Sequence, residues 1–159
     1  MSGVLRKTFV EVELPSTPRL AIVRHGERAY PEEACGFLLG PWDGRPSERR
    51  SVRTVREAAN AKTEERTHRF VIPAPEVLAV ERELEGSGET IVGYYHSHPD
   101  HPAVPSEFDR DHAWPGFAYL VLAVERGHAR ELGAFELDPE TRTFEPRRLF
   151  PLLPLGDSR

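Results

Sequence analysis

A single cysteine, Cys35, stands in 159 residues, so no disulfide can form within the chain and folding requires no oxidising compartment. Long apolar runs are missing as well, and no stretch approaches the roughly 20 residues that span a bilayer. The first fourteen residues include Glu11 and Glu13 and do not resemble a secretory leader. A cytoplasmic protein with no membrane partner is the expectation. Positive charge is also in deficit, with a formal net charge of -5. Phosphate binding needs a concentrated basic surface, and the densest basic cluster, Glu48-Arg49-Arg50-Ser51-Val52-Arg53, is short and interrupted. This argues against nucleic acid as a partner. Oligomeric state leaves no mark in the sequence.

What is present describes an ordinary globular chain, 38% apolar and 30% charged, long enough for one hydrophobic core. A single domain over 1–159 is expected, with a loosely held tail from about 151 to 159. Phe9-Val10-Glu11-Val12-Glu13-Leu14 alternates as a half-buried strand does. Ser16 is a candidate cap for a helix that ends before Pro31, with Gly26 as its weak point. Ala34 to Gly40 reads as a buried strand, followed by a loop through Pro41-Trp42-Asp43-Gly44-Arg45-Pro46 and one strand from about Glu48 to Ala58. A polar segment, Asn60 to Thr67, precedes a short strand at Phe70-Val71-Ile72. Pro75 opens a helix closed by Gly86 and Gly88, with Val77, Leu78, Val80 and Leu84 on its apolar side. Thr90 to Tyr95 is a strand leading into His96. Ser106 to Ala113 reads as a short helix, and strands at Phe117–Val124, Glu131–Leu137 and Thr143–Leu149 complete the chain. The alternation points to a three-layer α/β domain, a mixed β-sheet flanked by helices.

The segment from His96 to Asp109 carries the chemistry. Residues two apart on a strand share a face about 6.6 Å apart, so His96 and His98 can converge on one ion. Pro99 lacks an N–H and is suited to end the strand. A stiff loop then brings Asp109 back as a third ligand, and two histidines with one carboxylate leave a fourth tetrahedral position for water, the catalytic pattern. Spacing alone leaves other uses open. His-x-His is often packing, Ser106-x-x-Asp109 is also a capping box, and His101 and His112 are alternative ligands. Cys35 serves either as a small buried hydrophobe or as a thiol near the metal. Ser97 faces away from the ligands and has no paired base. Tyr94, Tyr95 and Trp114 are candidates for a substrate groove or for packing.

His96-Ser97-His98-Pro99, six residues, then Ser106-x-x-Asp109 resembles the JAMM (MPN+) zinc metallopeptidase signature at every defining position. Upstream, Glu33-Ala34-Cys35-Gly36 resembles that family's second hallmark, a Glu two residues before a Cys-Gly that opens a buried strand. The resemblance extends from about Leu20 to Val124. It implies an MPN/JAB fold, cytidine-deaminase-like, with one Zn2+ per chain held by His96, His98 and Asp109. It implies Glu33 as general base and Ser106 as a donor that polarises the scissile carbonyl. Glu32 is the rival of Glu33, and strand alternation allows only one of the two neighbours to face the metal.

The run from Tyr95 through Ser106 resembles the compact bacterial branch of the family, the sulfur-carrier-processing type. No cysteine follows Asp109, so the extra zinc ligands of endosomal deubiquitinases are missing. The resemblance implies hydrolysis of the amide after the Gly-Gly tail of a ubiquitin-like sulfur-carrier protein, for example release of cysteine from a carrier adduct. Two other readings are a non-catalytic MPN-type interaction module and a DNA-repair-associated relative. The complete Glu/His/His/Asp set opposes the first. The acidic balance and the missing helix-hairpin-helix segment oppose the second.

Overall fold

The computed structural model describes residues 9–41, 48–59 and 72–155. The expected loop at 42–46, the polar segment at 60–67, Phe70 and Val71 of the short strand, and the tail beyond 155 lie outside the described residues. In chain order the elements are β1 (Glu11–Glu13), α1 (Ser16–Ala29), β2 (Cys35–Pro41), β3 (Arg49–Ser51) and β4 (Thr54–Ala58). There follow α2 (Ala74–Leu84), β5 (Glu89–Pro99), α3 (Glu107–Asp111), β6 (Ala118–Glu125), β7 (His128–Leu137) and β8 (Phe144–Phe150). No helix among the described residues is long and apolar enough to cross a membrane.

The strands form one mixed sheet in the order β3-β1-β8-β7-β6-β5-β2-β4, with β5 parallel to β6 and β1 parallel to both its neighbours. The strand expected from Glu48 to Ala58 is in fact two. Val52 donates its N–H to Glu13 at 2.9 Å and Arg53 donates to Leu39 at 2.8 Å, so the chain leaves one partner for another there. These two pieces are the terminal strands of the sheet, yet only Val52 and Arg53 separate them in sequence. The sheet must therefore curl until its edges approach. Helix α1 packs on one face through Ile22 and Val23, against Leu38, Tyr95, Leu120 and Leu122. On the other face, Val80 of α2 meets Phe37, Leu39 and Ile91. The expected layering of helix, mixed sheet and helix is what the chain adopts.

Local differences have local causes. Helix α1 begins after Pro15 with no side-chain cap, so Ser16 is its first helical residue and not its cap. Pro15 holds extended backbone at that boundary and supplies the stop. Gly26 is where α1 lies closest to the sheet, because a Cβ there would come within 2.5 Å of Leu122 Cδ2. Helix α2 ends at Leu84, and Gly86 then takes the left-handed conformation at φ 76°. Beyond β8, the Pro151 carbonyl accepts from the buried Arg19 guanidinium at 2.7 Å and Leu155 packs against the main core.

The Cys35-Gly36 pair has a packing reason. The Tyr95 ring lies on Gly36, and its hydroxyl bonds His25 Nδ1 of α1 at 2.7 Å. A Cβ at Gly36 would stand 2.4 Å from both the Arg56 carbonyl oxygen and Tyr95 Cε1. The backbone oxygen cannot swing aside as a flexible side chain would. Gly36→Ala is expected to destabilise the protein by about 3 kcal/mol through overpacking, read as a lower urea midpoint at unchanged slope. An unchanged midpoint would refute this account of the glycine.

Candidate metal centre and its two cavities

The two histidines face the right way because of a bulge. Leu38 pairs with Gly93 but Leu39 pairs with Ile91, so Val92 is an extra residue on β5. Ile91 packs under α2, while Val92 turns to the α1 face. From there Tyr95 and Ser97 face α1, and His96 and His98 face the side of α2 and α3. Their Nε2 atoms lie 3.0 Å apart.

Asp109 arrives from the other direction. Asp100 takes a left-handed φ of 56°, and its carboxylate is pinned by the Tyr30 hydroxyl at 2.6 Å and the Arg126 N–H at 2.8 Å. The loop beyond it presents the Pro102 carbonyl to His98 Nδ1 at 2.9 Å. That bond places the proton on Nδ1 and leaves Nε2 as a lone-pair donor facing Asp109. Ser106 then caps α3, accepting the Asp109 N–H at 3.1 Å, while Asp109 Oδ2 accepts the Ser106 N–H at 2.7 Å. The same Oδ2 lies 3.0 Å from His96 Nε2 and 3.2 Å from His98 Nε2. Capping box and metal-type cluster are therefore one arrangement, not alternatives.

Donors about 2 Å from a shared tetrahedral ion stand about 3.3 Å from one another. The observed separations of 3.0 to 3.2 Å fit, and two imidazole nitrogens with one carboxylate oxygen are a donor set that suits a divalent transition metal. His96, His98 and Asp109 could hold one metal ion, and among the described residues they are the one such group. The other candidates fall outside it. His112 directs Nδ1 to the Phe108 carbonyl at 2.9 Å and stacks on the Phe108 ring, and His101 lines a neighbouring cavity. Cys35 pairs in register with His96 but is buried, its thiol pushed up to about 12 by burial, with Glu76 and Glu33 adding to it. The small-hydrophobe reading suits it.

Glu33 is 5% exposed and Glu32 is exposed, so the two rivals are separated by burial. Ser97 helps fix the buried one. Its hydroxyl accepts the Ala34 N–H at 2.8 Å, and its own N–H donates to the Ala34 carbonyl at 2.9 Å, anchoring the residue next to Glu33 on β5. The sequence marks Ser97 only as no nucleophile, and this positioning contact depends on long-range pairing that periodicity does not reveal. Glu33, His98, His101 and Ser106 line one cavity of about 270 Å³. A second, of about 260 Å³, opens on His96 and Asp109 and is walled by aromatic rings. Tyr94 and Trp114 are among its walls, while Tyr95 belongs to the core. Phe108, Tyr119 and Phe144 also line it and were not foreseen. Phe108 alone had a signal, standing between Ser106 and Asp109.

The electrostatics are those of a site short of positive charge. Burial pushes the Glu33 carboxyl up to about 8; His98 opposes the shift and Asp109 adds to it. Burial lowers His96. Burial also works against a charged His98, but the Asp109 carboxylate and the Pro102 carbonyl outweigh it and raise that ring. Burial opposes the Asp109 charge too, yet the two imidazoles and the Ser106 N–H hold its carboxyl well below the usual range.

A family model of prokaryotic homologues of the JAB domain matches residues 16–137. The chain is 32% identical over 121 residues to a desampylase of Haloferax volcanii, covering 73% of this chain and 83% of that protein. It is 33% identical over 127 residues to the CysO-cysteine peptidase of Mycobacterium tuberculosis, covering 79% and 82%. A solution structure of a Desulfitobacterium hafniense protein superposes with a TM-score of 0.73 at 26% identity, over 87% of this chain and 91% of the other. A solution structure from Salinibacter ruber gives 0.62 at 37% identity, over 91% and 95%.

A divalent ion at the cluster would favour the Glu33 carboxylate and oppose the effect of burial. At pH 7 a carboxyl with a pKa of about 8 is mostly protonated, so loading should expel that proton. Zinc titrated calorimetrically in buffers of different ionisation enthalpy is expected to release about one proton fewer from Glu33→Gln than from wild type. Equal release would show that Glu33 is already ionised in the metal-free protein.

Proposed function

Because the chain belongs to the prokaryotic homologues of the JAB domain, we propose that it is a zinc-dependent peptidase acting after the C-terminal Gly-Gly of a ubiquitin-like sulfur carrier. Release of cysteine from a carrier adduct is the example that the name of the mycobacterial relative supports. The observation that carries this reading is a buried carboxylate, Glu33, sharing a cavity with His98 and Ser106 beside a His96–His98–Asp109 cluster.

Zinc held by His96, His98 and Asp109 would supply a Lewis acid for the scissile carbonyl and would make water a better acid. Glu33 accepts the proton that the attacking water loses as its oxygen bonds to the carbonyl carbon. As the C–N bond breaks, Glu33 returns that proton to the leaving amine. The burial that raises its proton affinity suits both halves of this task. Ser106 Oγ accepts from the Asp109 N–H, and its own hydrogen is available to donate to the developing oxyanion. Ser97 and the Pro102 carbonyl hold the Ala34 segment and the His98 ring in place.

The zinc-loaded chain, mixed with a carrier bearing a C-terminal amide-linked cysteine, is expected to cut after Gly-Gly, as followed by mass spectrometry. Glu33→Gln should lower kcat by about a hundredfold or more while still binding one zinc. Ser106→Ala should also lower kcat by about a hundredfold. It keeps the backbone N–H that holds Asp109, so its zinc content should match wild type. An intact adduct with wild type, or equal turnover by Glu33→Gln, rejects the assignment.

A further inference from the structure

The two cavities beside the cluster differ in chemistry, and that difference gives the substrate a direction. Glu33, His98, His101 and Ser106 bring titratable and hydroxyl groups to one of them, beside Pro102, Val104 and Pro105. The other begins at His96 and Asp109 and continues between Tyr94, Phe108, Trp114, Tyr119 and Phe144. If Glu33 returns a proton to the leaving amine, that amine lies on the Glu33 side. The acyl half of the substrate then runs the opposite way, past His96 and Asp109 into the aromatic cavity. Glycine has no side chain to fill it. Two extended residues at about 3.3 Å each carry the chain only about 6.6 Å from the scissile carbonyl, so the first side chain it can offer belongs to the residue before them.

We infer that the aromatic cavity seats the side chain of the residue immediately before the Gly-Gly and selects a bulky apolar or aromatic one. This rests on the proposed cleavage after Gly-Gly. The walls are already organised for such a guest. Tyr94 stacks on Tyr119 with ring centroids 5.9 Å apart, and Phe144 meets the Tyr119 ring edge-on at 5.5 Å. The Tyr119 hydroxyl accepts the Trp114 N–H at 2.8 Å, fixing the backbone that carries the indole. Trp114 itself is 69% exposed, an aromatic surface at the mouth that a bound side chain would cover. Among the described lining residues no carboxylate besides Asp109 is present to pair with a basic side chain. The Oδ2 of Asp109 is taken by the Ser106 N–H and the two imidazoles.

The test uses the zinc-loaded full chain and fusions of one carrier whose tail ends X-Gly-Gly before the same leaving amine, with X as Phe, Leu, Ala, Arg or Glu. Phe and Leu are expected to exceed Ala and Arg in kcat/KM by about tenfold or more, mainly through KM. Binding is measured separately, with zinc-loaded Glu33→Gln and uncleaved peptides ending X-Gly-Gly, and should show the same order. Trp114→Ala and Phe108→Ala should each compress the Phe-to-Ala ratio toward one, with zinc content and circular dichroism confirming that both fold. Cleavage indifferent to X, or favouring Arg, overturns the cavity assignment and leaves the peptidase reading standing. No cleavage of any fusion, with no ordered binding, overturns both.

Discussion

Val92 settles which side of the sheet the chemistry occupies. On a strand, a one-residue shift exchanges the two faces completely. Ile91 lies under α2, so regular alternation from it would send Tyr95 and Ser97 to that side and turn His96 and His98 toward α1. The additional residue on β5 reverses this. It sends the Tyr95 ring across Gly36 to His25, sends Ser97 to Ala34, and leaves both imidazoles facing Asp109. Core packing on one face and the polar cluster on the other are thus products of one irregularity. The requirement for glycine at position 36 follows from the same choice, because the displaced tyrosine occupies the space of a Cβ.

Asp109 shows how a short helix can hold a functional side chain still. Five residues are too few for a helix to persist on propensity. Here the cap that lets α3 form uses the same carboxylate oxygen that faces the histidines. The proline-rich loop between β5 and α3 limits the ways the chain can return, and Asp100, held by Tyr30 and Arg126, fixes its departure from the strand. Helix formation and cluster geometry are consequently coupled. Losing the Ser106 N–H contact to the Asp109 carboxylate would loosen the set of donors.

The sequence made the local half of this legible. The signature from His96 to Asp109, the Glu33–Gly36 segment and most elements were readable because each is written in contiguous residues with a distinct period or turn chemistry. The two strands within 49–58 were not separable, since Val52 and Arg53 change partners with no Gly or Pro to mark the break. The bulge was hidden for a related reason. Ile91 and Val92 are both buried, on opposite faces, so no polar residue marks where the alternation breaks. The aromatic cavity draws on β5, α3, β6 and β8, and only folding brings Tyr94, Phe108, Tyr119 and Phe144 together. Glu32 and Glu33 were distinguishable by motif register, and burial draws the same line between them.

The charges around the cluster suggest why these residues suit a cation and not merely each other. Asp109 keeps its negative charge far below the usual carboxylate range, although burial opposes it, because two imidazoles and a backbone N–H converge on one oxygen. His98 is drawn toward its charged form by that same carboxylate, while the more deeply buried His96 is driven toward the neutral one. Glu33 keeps its proton, since a second uncompensated negative charge in a buried site is costly. The proton on Glu33 therefore offsets a charge that a divalent ion would otherwise offset. An ion that replaced it would take the lone pairs of both imidazoles, as ligation requires, and would leave Glu33 ionised, as a base must be. The same exchange prepares the metal ligands and the proton acceptor together, which a cluster built only to cap a helix has no need to do.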